Sequence, residues 1–163
     1  MTESESVAKS VAELALALQA RAWRLATVES CTGGLIAAAC TALAGSSLWF
    51  ERGFVTYSNE SKTALLGVPP ALIDAHGAVS EQVALAMAQG ALTRAPVQLA
   101  VAVTGIAGPG GAVPGKPVGT VWLAWASADG VRAERLQLAG DRAAVRAATV
   151  QAALQRLLQV ATG

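Results

Sequence analysis

The sequence predicts an α/β domain: a three-layer α/β/α sandwich with a mixed, mostly parallel sheet and a C-terminal antiparallel hairpin. Three observations lead there. Helical and strand patterns alternate from residue 5 to residue 103, as in chains that build βαβ units. Val97–Val103 is a nearly continuous apolar run, which a central strand covered on both faces requires. Asp129-Gly130 then separates two strand-like segments, and that dipeptide is a strong hairpin signal.

Each element follows from its own pattern. Val7, Val11, Leu14 and Leu18 recur at helical spacing and predict an amphipathic helix over 5–22. Leu25–Val28 reads as the first strand, and a second helix is expected over 33–43, opening at Gly33-Gly34. Phe50–Tyr57 mixes aromatic and β-branched residues and predicts the second strand. Ser58 or Asn59 can cap a helix over 60–66, which Gly67 ends ahead of Pro69-Pro70. A short helical turn over 70–75 follows. Ser80 and Glu81 then open a capped helix that runs to Arg94 and stops at Pro96.

Beyond the apolar third strand, Gly105–Gly119 holds six glycines and three prolines, so it reads as a loop. Thr120–Ala126 and Val131–Leu138 form the hairpin. Asp141 caps a last helix to Val160, with Val145, Ala148, Leu154, Leu157 and Leu158 on its apolar face.

Composition narrows the function. With 163 residues the chain suits one domain, expected over 1–163, and neither a repeat nor a linker divides it. Hydrophobic residues make up 53%, yet no run approaches the ~18 apolar residues that span a bilayer. The apolar excess therefore points to deep burial and is compatible with a homo-oligomer. The N-terminus is polar and acidic, unlike a signal peptide, so the cytoplasm is the expected location. A net charge of +1 and nine scattered arginines provide no electrostatic footprint for nucleic acid. His76 is the one histidine, and no Cys, His, Asp and Glu residues share metal-ligand spacing. No metal and no cofactor is expected.

Chemistry concentrates at the strand ends. Val-Glu-Ser-Cys-Thr-Gly-Gly at 28–34 sets Ser30 between a buried strand and a helix. Amides at a helix start, with glycines that allow close approach, could stabilise a phosphate or an oxyanion. A simpler reading has Ser30 or Thr32 as a helix cap; Cys31 reads either as a nucleophile or as a small buried hydrophobe. Tyr57 and Lys62 follow at the end of the second strand and in the next helix's first turn. If the two strands are parallel neighbours, Ser30, Tyr57 and Lys62 share one rim of the sheet. A partly buried lysine could then act as a base towards the serine, with Tyr57 orienting the amine or relaying a proton. The glycine-rich segment, with Thr104, Gly105, Gly108 and Gly110, reaches the same rim and suits a phosphate or ribose; it lacks the P-loop pattern. Arg142 and Arg146 add candidate anion contacts.

Six segments carry a resemblance: Glu-Ser-Cys-Thr-Gly-Gly at 29–34, Val-Thr-Tyr-Ser-Asn-Glu-Ser-Lys at 55–62, His-Gly-Ala-Val-Ser-Glu at 76–81, Val-Thr-Gly-Ile-Ala-Gly-Pro-Gly-Gly at 103–111, Lys-Pro-Val-Gly-Thr-Val at 116–121 and Gly-Asp-Arg at 140–142. In order and spacing the chain resembles the CinA C-terminal domain family. The resemblance implies nicotinamide-nucleotide amidase activity: hydrolysis of the carboxamide of nicotinamide mononucleotide to nicotinate mononucleotide and ammonia, in NAD salvage. It further implies serine/lysine chemistry without metal, with Ser30, Tyr57 and Lys62 as catalytic residues. Substrate contacts are expected from Cys31, Thr32, Gly33, Gly34, Thr104, Gly105, Gly108, Gly110, Arg142 and Arg146. Many family members carry a further N-terminal domain resembling molybdopterin-binding proteins, whose activity is not expected of this chain. The alternative is a non-catalytic nucleotide-binding module linked to competence or DNA damage.

Overall fold

The computed structural model describes residues 1–163 and consists of six α-helices around a five-stranded sheet. α1 spans Glu3–Ala20, β1 Leu25–Glu29, α2 Leu35–Thr41, β2 Phe50–Val55, α3 Asn59–Leu66, α4 Pro70–His76 and α5 Glu81–Arg94. β3 then covers Leu99–Gly105, β4 Thr120–Ser127, β5 Gly130–Gln137 and α6 Arg142–Thr162. The strand order is β2-β1-β3-β4-β5; β1 runs parallel to β2 and β3, and β4 and β5 are antiparallel additions. No helix is long and apolar enough to cross a membrane.

Local chemistry explains the boundaries. Thr2 and Glu5 form a reciprocal capping box, so α1 starts at Glu3, ahead of the expected residue 5. Ser58, Ser80 and Asp141 each accept a backbone N–H and cap α3, α5 and α6. Ser127 pairs with Gly130, leaving Ala128 and Asp129 as the hairpin turn, one residue earlier than the sequence suggests. β2 stops at Val55 and not at Tyr57: the Thr56 N–H makes the last ladder bond, to the Glu29 carbonyl, and the chain then enters the Ser58 cap.

The two faces of the sheet differ in side-chain size. Leu25, Leu99, Val101, Val103 and Leu123 face one way and pack with α1, α2 and α6. Ala26, Ala100, Ala102, Ala124 and Ala126 face the other way and meet Ala84, Ala88 and Ala91 of α5. Alternation along a strand divides these two sets. Leu154 and Leu157 of α6 are wholly buried, each worth roughly 1.5–3 kcal/mol of burial.

This topology places the site. From β1 the chain crosses through α2 to β2 on one side, then returns through α3–α5 to β3 on the other. The helices of the two crossovers lie on opposite faces of the sheet. A crevice therefore opens beyond the C-terminal ends of β1 and β3, where the strand order reverses.

Candidate active site

A cleft of about 230 Å³ occupies that switch point. Ser30 and Cys31 enter it from the end of β1, Thr104 and Gly105 from the end of β3, and Tyr57, Asn59 and Lys62 from the β2–α3 corner. Ala78, Val79, Ala107 and Arg142 complete its wall.

Lys62 is buried, with 1% of its surface exposed. Its Nζ lies 2.8 Å from the Thr56 carbonyl, 3.4 Å from the Tyr57 carbonyl and 3.2 Å from Ser30 Oγ. Those three neighbours define its chemistry. A neutral amine has two N–H donors and one lone pair; the two carbonyls take the donors, and the lone pair is left for the serine hydroxyl. Burial holds the amine below the ordinary lysine value, against smaller upward pulls from Cys31 and Glu60.

Tyr57 meets Lys62 through its backbone carbonyl, while its phenol lies elsewhere. The residue is 61% exposed, and the phenol oxygen accepts from Arg142 Nη2 at 3.2 Å. Arg142 also donates to the Gly108 carbonyl at 2.9 Å, so it ties the glycine-rich loop to the cleft mouth.

Arg146 faces the serine turn instead of open solvent. Its Nε donates to the Cys31 carbonyl at 3.1 Å and its Nη2 to the Thr32 carbonyl at 3.3 Å. Gly33 passes beside that guanidinium. Gly34 has a φ of 111°, a left-handed geometry suited to glycine, and stands at the N-cap of α2 with no side chain to cap it.

Two amides of the first turn of α2, beyond the expected residues 31–34, are engaged. Glu29, absent from the sequence-based site, is buried at the end of β1, and its carboxylate takes them. It accepts from Ile36 N at 2.8 Å, Ala37 N at 3.0 Å and Thr32 Oγ1 at 2.5 Å. Helix α2 therefore has no open anion site. The Cys31 N–H, one residue after the serine, donates to no protein group, and it is the donor best placed in sequence for an oxyanion. A carboxylate at the end of a buried strand, beside a helix start with no capping side chain, was the signal for Glu29.

The remaining expected residues divide. Thr104 is buried and donates to the Ala78 carbonyl at 2.9 Å, fixing the α4–α5 linker along the cleft. A Cβ on Gly105 would lie 2.6 Å from Val121 Cγ2 and 3.2 Å from Cys31 Sγ, so only glycine fits there. Gly108 and Gly110 do not line the cleft; the Gly108 carbonyl accepts from Arg142, and Gly110 is exposed. Burial pushes the Cys31 thiol up to about 11, unsuited to a nucleophile. His76 lies outside the cleft at the end of α4, where its carbonyl accepts from Lys116 Nζ at 2.7 Å. No three His, Cys, Asp or Glu side chains converge as a metal site would need.

A serine paired with a buried lysine at the switch point of a three-layer α/β sandwich describes a hydrolase-like site, and relatives carry the same frame. The family model of the CinA C-terminal domain matches residues 7–161. The chain belongs to the CinA C-terminal domain family. A Pseudomonas putida protein named nicotinamide-nucleotide amidohydrolase PncC is 56% identical over 139 residues, covering 85% of this chain and 87% of its own length. The Escherichia coli (strain K12) protein of the same name is 51% identical over 160 residues, covering 98% and 96%. A competence/damage inducible protein, CihA from Agrobacterium tumefaciens, superposes with a TM-score of 0.92 at 44% identity, covering 95% of both chains.

Proposed function

We propose that this chain is a nicotinamide-nucleotide amidohydrolase, a single domain over residues 1–163 that acts in the cytoplasm in NAD salvage. It converts nicotinamide mononucleotide and water to nicotinate mononucleotide and ammonia. The observation that carries the reading is Lys62 Nζ at 3.2 Å from Ser30 Oγ, with both its other neighbours carbonyl oxygens. The names of the Pseudomonas and Escherichia relatives support the substrate.

In this mechanism neutral Lys62 takes the Ser30 proton as Oγ attacks the carboxamide carbon. The Cys31 N–H stabilises the tetrahedral oxyanion. The Lys62 ammonium then protonates the leaving nitrogen, and ammonia departs from the acyl-enzyme. Water enters, gives a proton to Lys62 and attacks the ester; collapse returns that proton to Ser30 and frees the nicotinate. Arg142 is the group suited to the nucleotide phosphate, since it borders both the cleft and the adjoining hollow beside Pro109 and Gly140. Arg146 does not border the cleft that holds Ser30; it holds the serine turn through the Cys31 and Thr32 carbonyls.

Ammonia release from nicotinamide mononucleotide by the purified protein tests the reading. Stoichiometric nicotinate mononucleotide is the expected co-product. Nucleotide binding without ammonia would replace the enzyme by a binding module.

A further inference from the structure

Glu29 poses a physical problem that the mechanism above leaves open. Its side chain is 1% exposed, and no lysine or arginine pairs with it. A buried carboxylate without a counter-charge is costly unless hydrogen bonds satisfy it. Three donors do so here: Thr32 Oγ1, Ile36 N and Ala37 N. A serine or aspartate at the N-cap of α2 would satisfy such amides from the surface. That position is Gly34, at a φ of 111°, so the cap comes from the strand below.

The same residue reaches both halves of the serine–lysine pair. Its side chain clasps Thr32 and the first turn of α2, which closes the turn containing Ser30 from behind. Its carbonyl accepts the Thr56 N–H at 2.9 Å, and the Thr56 carbonyl receives Lys62 Nζ. Ser30 itself is pinned at its N–H by the Val103 carbonyl at 3.1 Å. The hydroxyl direction then depends on the residues that follow, and Glu29 and Arg146 are the two side chains that hold them, beside the backbone bonds of Gly33 to Ser30 and Leu35 to Thr32.

We propose that Glu29 is a positioning residue whose buried carboxylate, by clasping Thr32 and the first turn of α2, fixes the Ser30 turn so that Ser30 Oγ meets Lys62. The inference rests on the serine–lysine reading given above. It assigns the carboxylate no proton transfer and no contact with substrate.

Glu29→Gln keeps the length but replaces one acceptor oxygen with an NH₂ that opposes an N–H donor. It is compared with wild type and with Val11→Ala, a core truncation in α1 that does not line the cleft. Two readouts are taken beside the melting temperature: steady-state ammonia release, and the rate at which a fluorophosphonate labels Ser30. In the labelling the Ser30 oxygen forms the bond to phosphorus as fluoride leaves, with the serine proton passing to Lys62. A misaligned nucleophile predicts a fall of about a hundredfold in kcat and in labelling for Glu29→Gln, with KM changed less than about threefold. Val11→Ala lowers the melting temperature and leaves both rates near wild type.

Thr32→Val removes one of the three donors and shifts both rates in the same direction by less, which keeps the test alive if Glu29→Gln does not fold. Normal kcat and labelling in the folded variants overturn the proposal, as does a Val11→Ala enzyme slowed to the same extent. Wild type that labels at Ser30 but releases no ammonia overturns the substrate reading alone, and the labelling rates still judge Glu29. Wild type that does not label at Ser30 overturns the positioning role.

Discussion

The Arg142 guanidinium donates to the Tyr57 phenol at 3.2 Å across the mouth of the cleft that holds Ser30 and Lys62. Of Tyr57 the Lys62 amine touches the carbonyl alone, so the ring and the base belong to separate hydrogen-bond sets. Tyr57→Phe is therefore expected to raise KM while lowering kcat less than about tenfold. A kcat loss of several orders with KM unchanged would assign the phenol to proton transfer.

Ser30→Ala removes the oxygen that Lys62 faces. Turnover falls by about a thousandfold or more, as for other activated nucleophiles, while nucleotide binding persists because the cleft wall is intact. Single-turnover ammonia assays and calorimetric binding on one preparation check both halves.

Lys62 must be neutral to act, and burial lowers its pKa. The neutral fraction grows as pH rises, so kcat climbs along a limb below the free lysine value of about 10.4. Lys62→Arg keeps a cation that does not deprotonate in this range, and is expected to be nearly inactive though folded. Retention of a substantial rate with the same alkaline limb would mean that another group takes the proton.

The Cys31 thiol, pushed up to about 11 by burial, is protonated at working pH. Cys31→Ala should keep kcat within about tenfold, since only packing is lost. Iodoacetamide should modify the native protein slowly, and mass spectrometry of the modified peptide reads the rate. An inactive Cys31→Ala beside an active Ser30→Ala would move the nucleophile by one residue.

Gly90 inverts a familiar expectation. Replacing an interior helix glycine with alanine ordinarily stabilises by about 1 kcal/mol. Here the added Cβ would lie 2.3 Å from the Leu66 backbone carbonyl, where α5 crosses the end of α3. Gly90→Ala should instead destabilise by about 1–3 kcal/mol, measured by urea unfolding.

The legible parts of the sequence were those with local causes. Ser58, Ser80 and Asp141 announced their helices because caps act within three residues. Ser30 and Lys62 could be brought together because parallel neighbours place both strand ends on one rim. The partners of Arg146 were hidden, since they lie on a turn more than a hundred residues earlier. Glu29 was hidden for a different reason: the first strand runs one residue further than its apolar run, and a carboxylate there looks like a surface charge. The contact between the Tyr57 carbonyl and Lys62 was hidden because a backbone carbonyl leaves no mark in a sequence.

The Cys31 carbonyl and Arg146 Nε are 115 residues apart in the chain. While the protein is being made, Ser30 and Lys62 leave the ribosome early, but the arginine that steadies the serine turn arrives with the final helix. The serine turn is thereby steadied only once Arg146 has been made. A growing chain lacks this hold on the serine turn until α6 has docked.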